Sequence, residues 1–153
     1  MPKGNQNMQR WISQTPQTTS SKPLKPWRLP KLKDGKPPKW HWIVQGLAHF
    51  TLGRFTDIGA FTVINAQNGV TIEDEVEIGP HCAILSASTI DNKTGPIVLK
   101  KNCKIGTHST VMPNVTVGEN TIIGAHSFVN KDIPANVIAF GVPCKVWKYL
   151  SFV

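Results

Sequence analysis

The chain has 153 residues, with 17 lysines and arginines against nine carboxylates and a formal net charge of +8. That length suits one folded domain, and no apolar run is long enough to cross a bilayer as a helix. Three cysteines suggest no framework of disulfide pairs, which fits a reducing compartment.

The charge is concentrated at the start. Residues 1–40 hold nine of the basic residues, one acid (Asp34) and seven of the twelve prolines, whereas residues 41–153 hold eight basic and eight acidic residues. Residues 1–38 therefore read as a basic, Pro-rich, flexible arm with no core of its own. Weak contact with an anionic membrane surface is one use for such an arm; nucleic acid is not the expected partner. No hydrophobic signal segment opens the chain, so the expected location is the cytoplasm. Trp27, Trp40 and Trp42 are placed to pin the end of the arm to the folded body or to a neighbouring molecule, and residues 39–51 read as a lead-in strand or a cap.

From residue 52 onward a period of six takes over. Leu52, Ile58, Ile64, Ile72, Ile78, Ile84, Leu99, Ile105, Val111, Val117, Ile123 and Val129 recur at steps that are mostly six. The residue four after each is mostly small or β-branched, as at Thr62, Val76, Cys82, Ser88, Cys103, Ser109 and Ser127. A period of six fits neither a helix nor simple strand alternation. It fits a short strand plus a corner, and three such units make one coil of a solenoid whose strands stack about 4.8 Å apart. The expected coils are 52–69, 72–89, 99–116 and 117–134. The step of eight before Ile72 places a bulge near Asn68 and Gly69, and the step of fifteen before Leu99 throws out a loop at about residues 90–98. Residues 135–153 close the stack around a turn at Phe140-Gly141-Val142-Pro143. Cys82 and Cys103 fall at the small corner position and read as packing residues.

The stretches Thr56–Phe61, Ile78–Cys82, Ile105–Ser109 with Met112–Gly118, and Ile123–Pro134 ending in Gly141–Val146 resemble the hexapeptide-repeat acyltransferases. The closest likeness is to small sugar O- or N-acetyltransferases of surface-polysaccharide biosynthesis. The resemblance covers about 95 residues. It implies an all-β fold, a left-handed parallel β-helix of about four coils; nothing in the spacing itself sets that hand. It also implies a homotrimer with acetyl-CoA as co-substrate in the groove between adjacent subunits, a sugar or nucleotide-sugar acceptor, and no metal. A flat-faced prism can bury one face against two copies of itself under threefold symmetry.

The register places His81, His108 and His126 each three residues after an inward aliphatic, so they form a column. Acetyl transfer needs a base near neutral pH, and histidine has that intrinsic range. Many members of the family carry this histidine in the extruded loop, close before an aspartate. Here the stretch reads Ser86-Ala87-Ser88-Thr89-Ile90-Asp91, with no histidine. The base is therefore expected in the column, at His108 first and His81 second, with His126 beside the donor's arm. Asp57, Asn65 and Asp91 are the candidates for holding the acceptor or orienting the base, although each residue type also favours corners. By resemblance the donor would run past Gly106, Gly124, Ala125 and Ser127, with Lys131, Lys145 and Lys148 near its phosphates. Two other readings share the fold: a solenoid that binds without catalysis, and a zinc hydratase of the γ-carbonic anhydrase kind. The latter expects two histidines five apart, where this chain has spacings of 27 and 18.

Overall fold

The structure, a computed structural model, describes residues 26–151. Most of the expected flexible arm, residues 1–25, lies outside the described residues.

The hexads form short strands separated by turns, and strands of successive coils pair in parallel on three faces. The first face stacks Ile43–Gln45, Val63–Asn65, Ala83–Leu85, Thr110–Val111 and Phe128–Val129. The second stacks Phe50–Leu52, Val70–Ile72, Ile97–Leu99 and Thr116–Val117, and a bridge from Val117 to Ile133 extends it. The third stacks Asp57–Ile58, Glu77–Ile78, Lys104–Ile105, Ile122–Ile123 and Val137–Phe140. An antiparallel strand, Lys145–Tyr149, then pairs with Val137–Phe140. The lead-in segment is thus a working strand: Ile43–Gln45 pairs with Val63–Asn65 and opens an additional coil above the four expected.

Register explains the core. Ile58, Ile78, Ile105 and Ile123 align along the third face, and Ile64, Ile84, Val111 and Val129 along the first. All of the periodic aliphatics are buried except Leu52, which is partly covered in the first coils. Each fully buried side chain of this kind contributes about 1.5–3 kcal/mol. The small corner residues finish the packing by joining coils through their polar atoms. Thr62 Oγ1 donates to the Gly79 carbonyl (3.0 Å) and accepts from the Cys82 N–H. Ser109 Oγ donates to the Gly124 carbonyl and accepts from the Ser127 N–H, 3.2 Å each.

The insertions share one corner, between the first and second faces. The excursion there differs from the expected residues 90–98. Ile97 is buried and pairs with Val70, so the second face resumes at Ile97. The extruded element is a hairpin of Ala87–Ser88 against Lys93–Thr94. Its start is set by Ser86, which is buried, accepts from the Asn68 N–H (2.9 Å) and donates to Asn65 Oδ1. Ser86 therefore takes the small-residue role assigned from spacing to Ser88, which sits in the hairpin. The aliphatic run Ile97-Val98-Leu99 was misleading because only its last member keeps the six-residue period. The end of the arm is also less free than its composition implies: Asp34 Oδ1 accepts from the N–H groups of Gly46 (2.7 Å) and Leu47 (3.1 Å), and Leu32 packs against the core.

Between the second and third faces, Asn102, Asn120 and Asn136 adopt left-handed backbone with φ of 56°, 56° and 59°. Asn102 Nδ2 donates to Asn120 Oδ1 (2.9 Å) and Asn120 Nδ2 to Asn136 Oδ1 (3.0 Å), a ladder down the stack. A valine at position 120 would lose both amide bonds, at about 0.5–1.5 kcal/mol each, and would meet the left-handed cost of roughly 1–2 kcal/mol. Asn120→Val is expected to lower stability by about 2–5 kcal/mol in urea unfolding; a loss under about 0.5 kcal/mol would show that the ladder carries no stability.

Candidate active site

The corner between the third and first faces carries Gly79-Pro80-His81-Cys82, Gly106-Thr107-His108-Ser109 and Gly124-Ala125-His126-Ser127 in consecutive coils. The histidines stand above one another in left-handed backbone, with φ of 57°, 58° and 58°. Histidine and asparagine are enriched among non-glycine residues in that region. Each histidine N–H donates to the coil above: His81 to Ala60 O, His108 to Pro80 O and His126 to Thr107 O, at 2.9–3.1 Å. The rings follow at the same pitch, with centroids 4.8 Å apart from His81 to His108 and 4.9 Å from His108 to His126, edge to face. Phe61 stacks above His81 at 5.1 Å, and His41 above Phe61 at 6.2 Å.

The three imidazoles are exposed, and among the described residues none makes a side-chain hydrogen bond. A shallow groove of about 310 Å³ runs beside the column on the third face, bounded by Asp57, Gly59, Gly79, Pro80, Gly106 and Thr107. Among the described residues, the N–H groups of Thr107 and Ala125, each one residue before a column histidine, donate to no other group.

The acceptor candidates are not brought together within the chain. Asp57 sits on the third face in the first full coil, exposed. Asn65 lies at the root of the hairpin, where Oδ1 accepts from the Gln67 N–H (3.1 Å) and from Ser86 Oγ (3.3 Å). Asp91 sits in the hairpin turn, paired with Lys93 at 2.9 Å; hydrogen bonds from Ser88 and Lys93 hold its carboxyl below the usual carboxylate range. Asn65 and Asp91 thus belong to the hairpin corner, and Asp57 to the groove.

The donor candidates divide as well. Gly106 faces the next coil closely: a Cβ there would meet the Ala125 nitrogen at 2.5 Å, so coil stacking alone requires glycine. Gly124 holds the equivalent position one coil on, with Ala125 exposed after it. Ser127, placed on the donor's path by resemblance, is turned inward. Its side chain is buried, Oγ donates to the Gly124 carbonyl (2.6 Å) and accepts from the Gly141 N–H (3.2 Å), and its backbone N–H and C=O are both paired, so no polar atom of it is left for a ligand. Its small size closes the corner. Lys131 lies at the foot of the hairpin corner, whereas Lys145 and Lys148 lie on the closing strand at the foot of the third face, near the groove's end.

The family model for bacterial transferase hexapeptide (six repeats) matches residues 96–131. Galactoside O-acetyltransferase of Escherichia coli (strain K12) is 43% identical over 91 residues, which are 54% of this chain and 45% of that protein. A hexapeptide-repeat acetyltransferase of Vibrio cholerae O1 biovar eltor, solved in complex with acetyl coenzyme A, superposes with a TM-score of 0.69 at 26% identity, over 72% of this chain and 66% of that one. A maltose O-acetyltransferase of Clostridium difficile 630 superposes at 0.68 with 26% identity, over 73% of this chain and 65% of that one. The repeat match, these relatives and the shared fold make the hexapeptide-repeat acetyltransferases the family that this chain resembles.

Its solenoid is the left-handed parallel β-helix of that family. The chain spans about half the length of the curated relatives it matches. Among the described residues, no group of three histidine, cysteine or acidic side chains is arranged to hold a metal, and no helix is long and apolar enough to cross a membrane. The cysteines of this hexapeptide-repeat protein are packing groups in its core. Burial pushes the Cys103 thiol up to about 12, with the Glu73 carboxylate adding to the shift, and burial raises Cys82 and Cys144 as well. With the thiolate suppressed, folded protein at pH 8 is expected to resist dithionitrobenzoate for hours and to yield all three thiols in denaturant; fast native labelling of any one would contradict this packing.

Proposed function

We propose that the protein transfers an acetyl group from acetyl-CoA to a hydroxyl or amino group of a sugar or nucleotide-linked sugar, with His108 as general base. The single observation that carries this reading is the exposed imidazole column beside a groove that runs along the coils, in a chain that resembles this family. His108 takes the acceptor's proton as oxygen or nitrogen attacks the thioester carbon. The C–S bond then breaks, and the proton passes to the departing thiolate. The N–H groups of Thr107 and Ala125 are the donors on hand for the carbonyl oxygen as it gains charge. Lys145 and Lys148 are the cations nearest the groove's foot for the donor's phosphates. Relatives whose names specify galactoside and maltose O-acetylation, and one solved with acetyl coenzyme A, support the same chemistry.

The working form in this reading is a homotrimer, acting in the cytoplasm in surface-polysaccharide biosynthesis. The first face supports self-association. Its outward side includes Ile43, Val63 and Phe128 in one row and Leu85 in the next, and Ile90 in the adjoining hairpin is 98% exposed. One edge of that face carries the histidines and the other the hairpin with Asp91, so a second copy packed there brings an acidic residue toward the unpartnered imidazoles. A binding solenoid without catalysis is the competing reading; it is favoured by the hairpin's lack of histidine.

His108→Ala is expected to lower steady-state acetyl transfer at least about a hundredfold while sedimentation stays unchanged. A loss confined to His81→Ala would move the base one coil up. Unchanged rates in His81→Ala, His108→Ala and His126→Ala would remove the column from the chemistry.

A further inference from the structure

A second cleft lies away from the histidines, at the top of the third face. It measures about 400 Å³, within the roughly 300–1,000 Å³ typical of small-molecule sites. Residues 26–30 form one wall and the first coil the other. Trp42, 3% exposed, forms the floor with Leu52 and Ile58. Trp27 is half-buried and braced by Phe55, ring centroids 6.1 Å apart. Trp40 is 55% exposed and stands at the mouth. The charged groups of the lining are Arg28 and Asp57, both exposed, and among the described residues neither forms an ion pair.

Three indoles in one cleft with a lone guanidinium and a lone carboxylate is a specific combination. An indole face offers a broad, rigid apolar plane at little conformational cost. A pyranose ring has matching C–H faces and an equatorial rim of hydroxyls that donate to a carboxylate and accept from a guanidinium. A nucleotide suits the cleft less well, because its phosphates would face the Asp57 carboxylate, with Arg28 and, over the Trp40 ring, Lys39 as the cations at hand. Asp57 also lines the groove beside the histidine column. It stands directly above Glu77 and Lys104 in successive coils, each step about 4.8 Å. A saccharide seated in the cleft therefore leads, past Asp57, toward the coils of His81 and His108.

We propose that this tryptophan-lined cleft is a saccharide subsite, which holds a neutral pyranose unit of the acceptor away from the unit that is acetylated. The choice of ligand class rests on the sugar-acceptor reading of the proposed function. Trp40 and Trp27 supply the stacking planes, and Asp57 and Arg28 bond to ring hydroxyls. None of these four groups takes part in the transfer itself.

The test is binding without acetyl-CoA. The full-length protein is titrated with maltotriose, cellotriose and lactose, followed by tryptophan fluorescence and calorimetry. At least one of the three is expected to bind with a dissociation constant of about 10 mM or tighter. Trp40→Ala is expected to weaken that binding about tenfold, Trp40→Phe to keep it within about threefold, and Asp57→Asn to weaken it about three- to tenfold. His108→Ala is expected to leave it unchanged. Because no transfer is read, loss of the catalytic assignment would not disturb this result, and loss of saccharide binding would leave that assignment standing. The proposal is overturned if none of the three sugars binds, if Trp40→Ala binds as well as the parent protein, or if UMP binds at Trp40 in preference to them.

Discussion

Parallel pairing of each coil on the one before it is the constraint that shapes the rest of the molecule. The pairing is in register, so residues at the same place in the repeat stand above one another at about 4.8 Å. Aliphatics at the inward place become a continuous core. Hydroxyls and thiols at the small place close the corners and, as Thr62 and Ser109 show, bond coil to coil. A solenoid of this kind has no long-range scaffold beyond its neighbouring coils, and every column, structural or chemical, inherits its spacing from the pairing.

The corners set the second constraint. To turn within two residues the chain enters left-handed backbone, which costs most side chains roughly 1–2 kcal/mol. Asparagine and histidine are among the residues that tolerate it best. One corner carries Asn102, Asn120 and Asn136, another His81, His108 and His126. The asparagines bond to one another and hold the stack. The imidazoles stack edge to face and, among the described residues, make no side-chain hydrogen bond. Two columns with the same backbone thus differ in what they leave available: one is satisfied internally, and the other presents unsatisfied ring nitrogens beside a groove. Phe61 and His41 extend the histidine column upward, so ring stacking at this corner is a packing feature first.

The solenoid and its core were legible in the sequence because a large aliphatic every six residues has one geometric solution, and the histidine column emerged once the long step was assigned to a single loop. The loop's limits were less legible. Ile97 and Leu99 are both aliphatic, and only pairing with Val70 and Ile72 shows that both belong to the second face. Ser127 was a donor-site candidate by resemblance, but inward and outward corner positions alternate, and its hydroxyl is spent on Gly124 and Gly141. Residues 26–38 carried no periodic signal. Their attachment through Asp34 and Leu32 depends on contacts far along the chain, which composition does not encode. The tryptophan cleft was half legible: Trp27, Trp40 and Trp42 stood out as anchors, but their meeting with Asp57 required the fold.

In the proposed function, the column works in a groove that a neighbouring copy completes and the acetyl donor fills. Sedimentation velocity of the purified protein with coenzyme A, read at protein and adenine wavelengths, tests it most directly. The expected species has three chains and carries one coenzyme A per chain. A single chain that sediments free of coenzyme A at saturating concentration would contradict it.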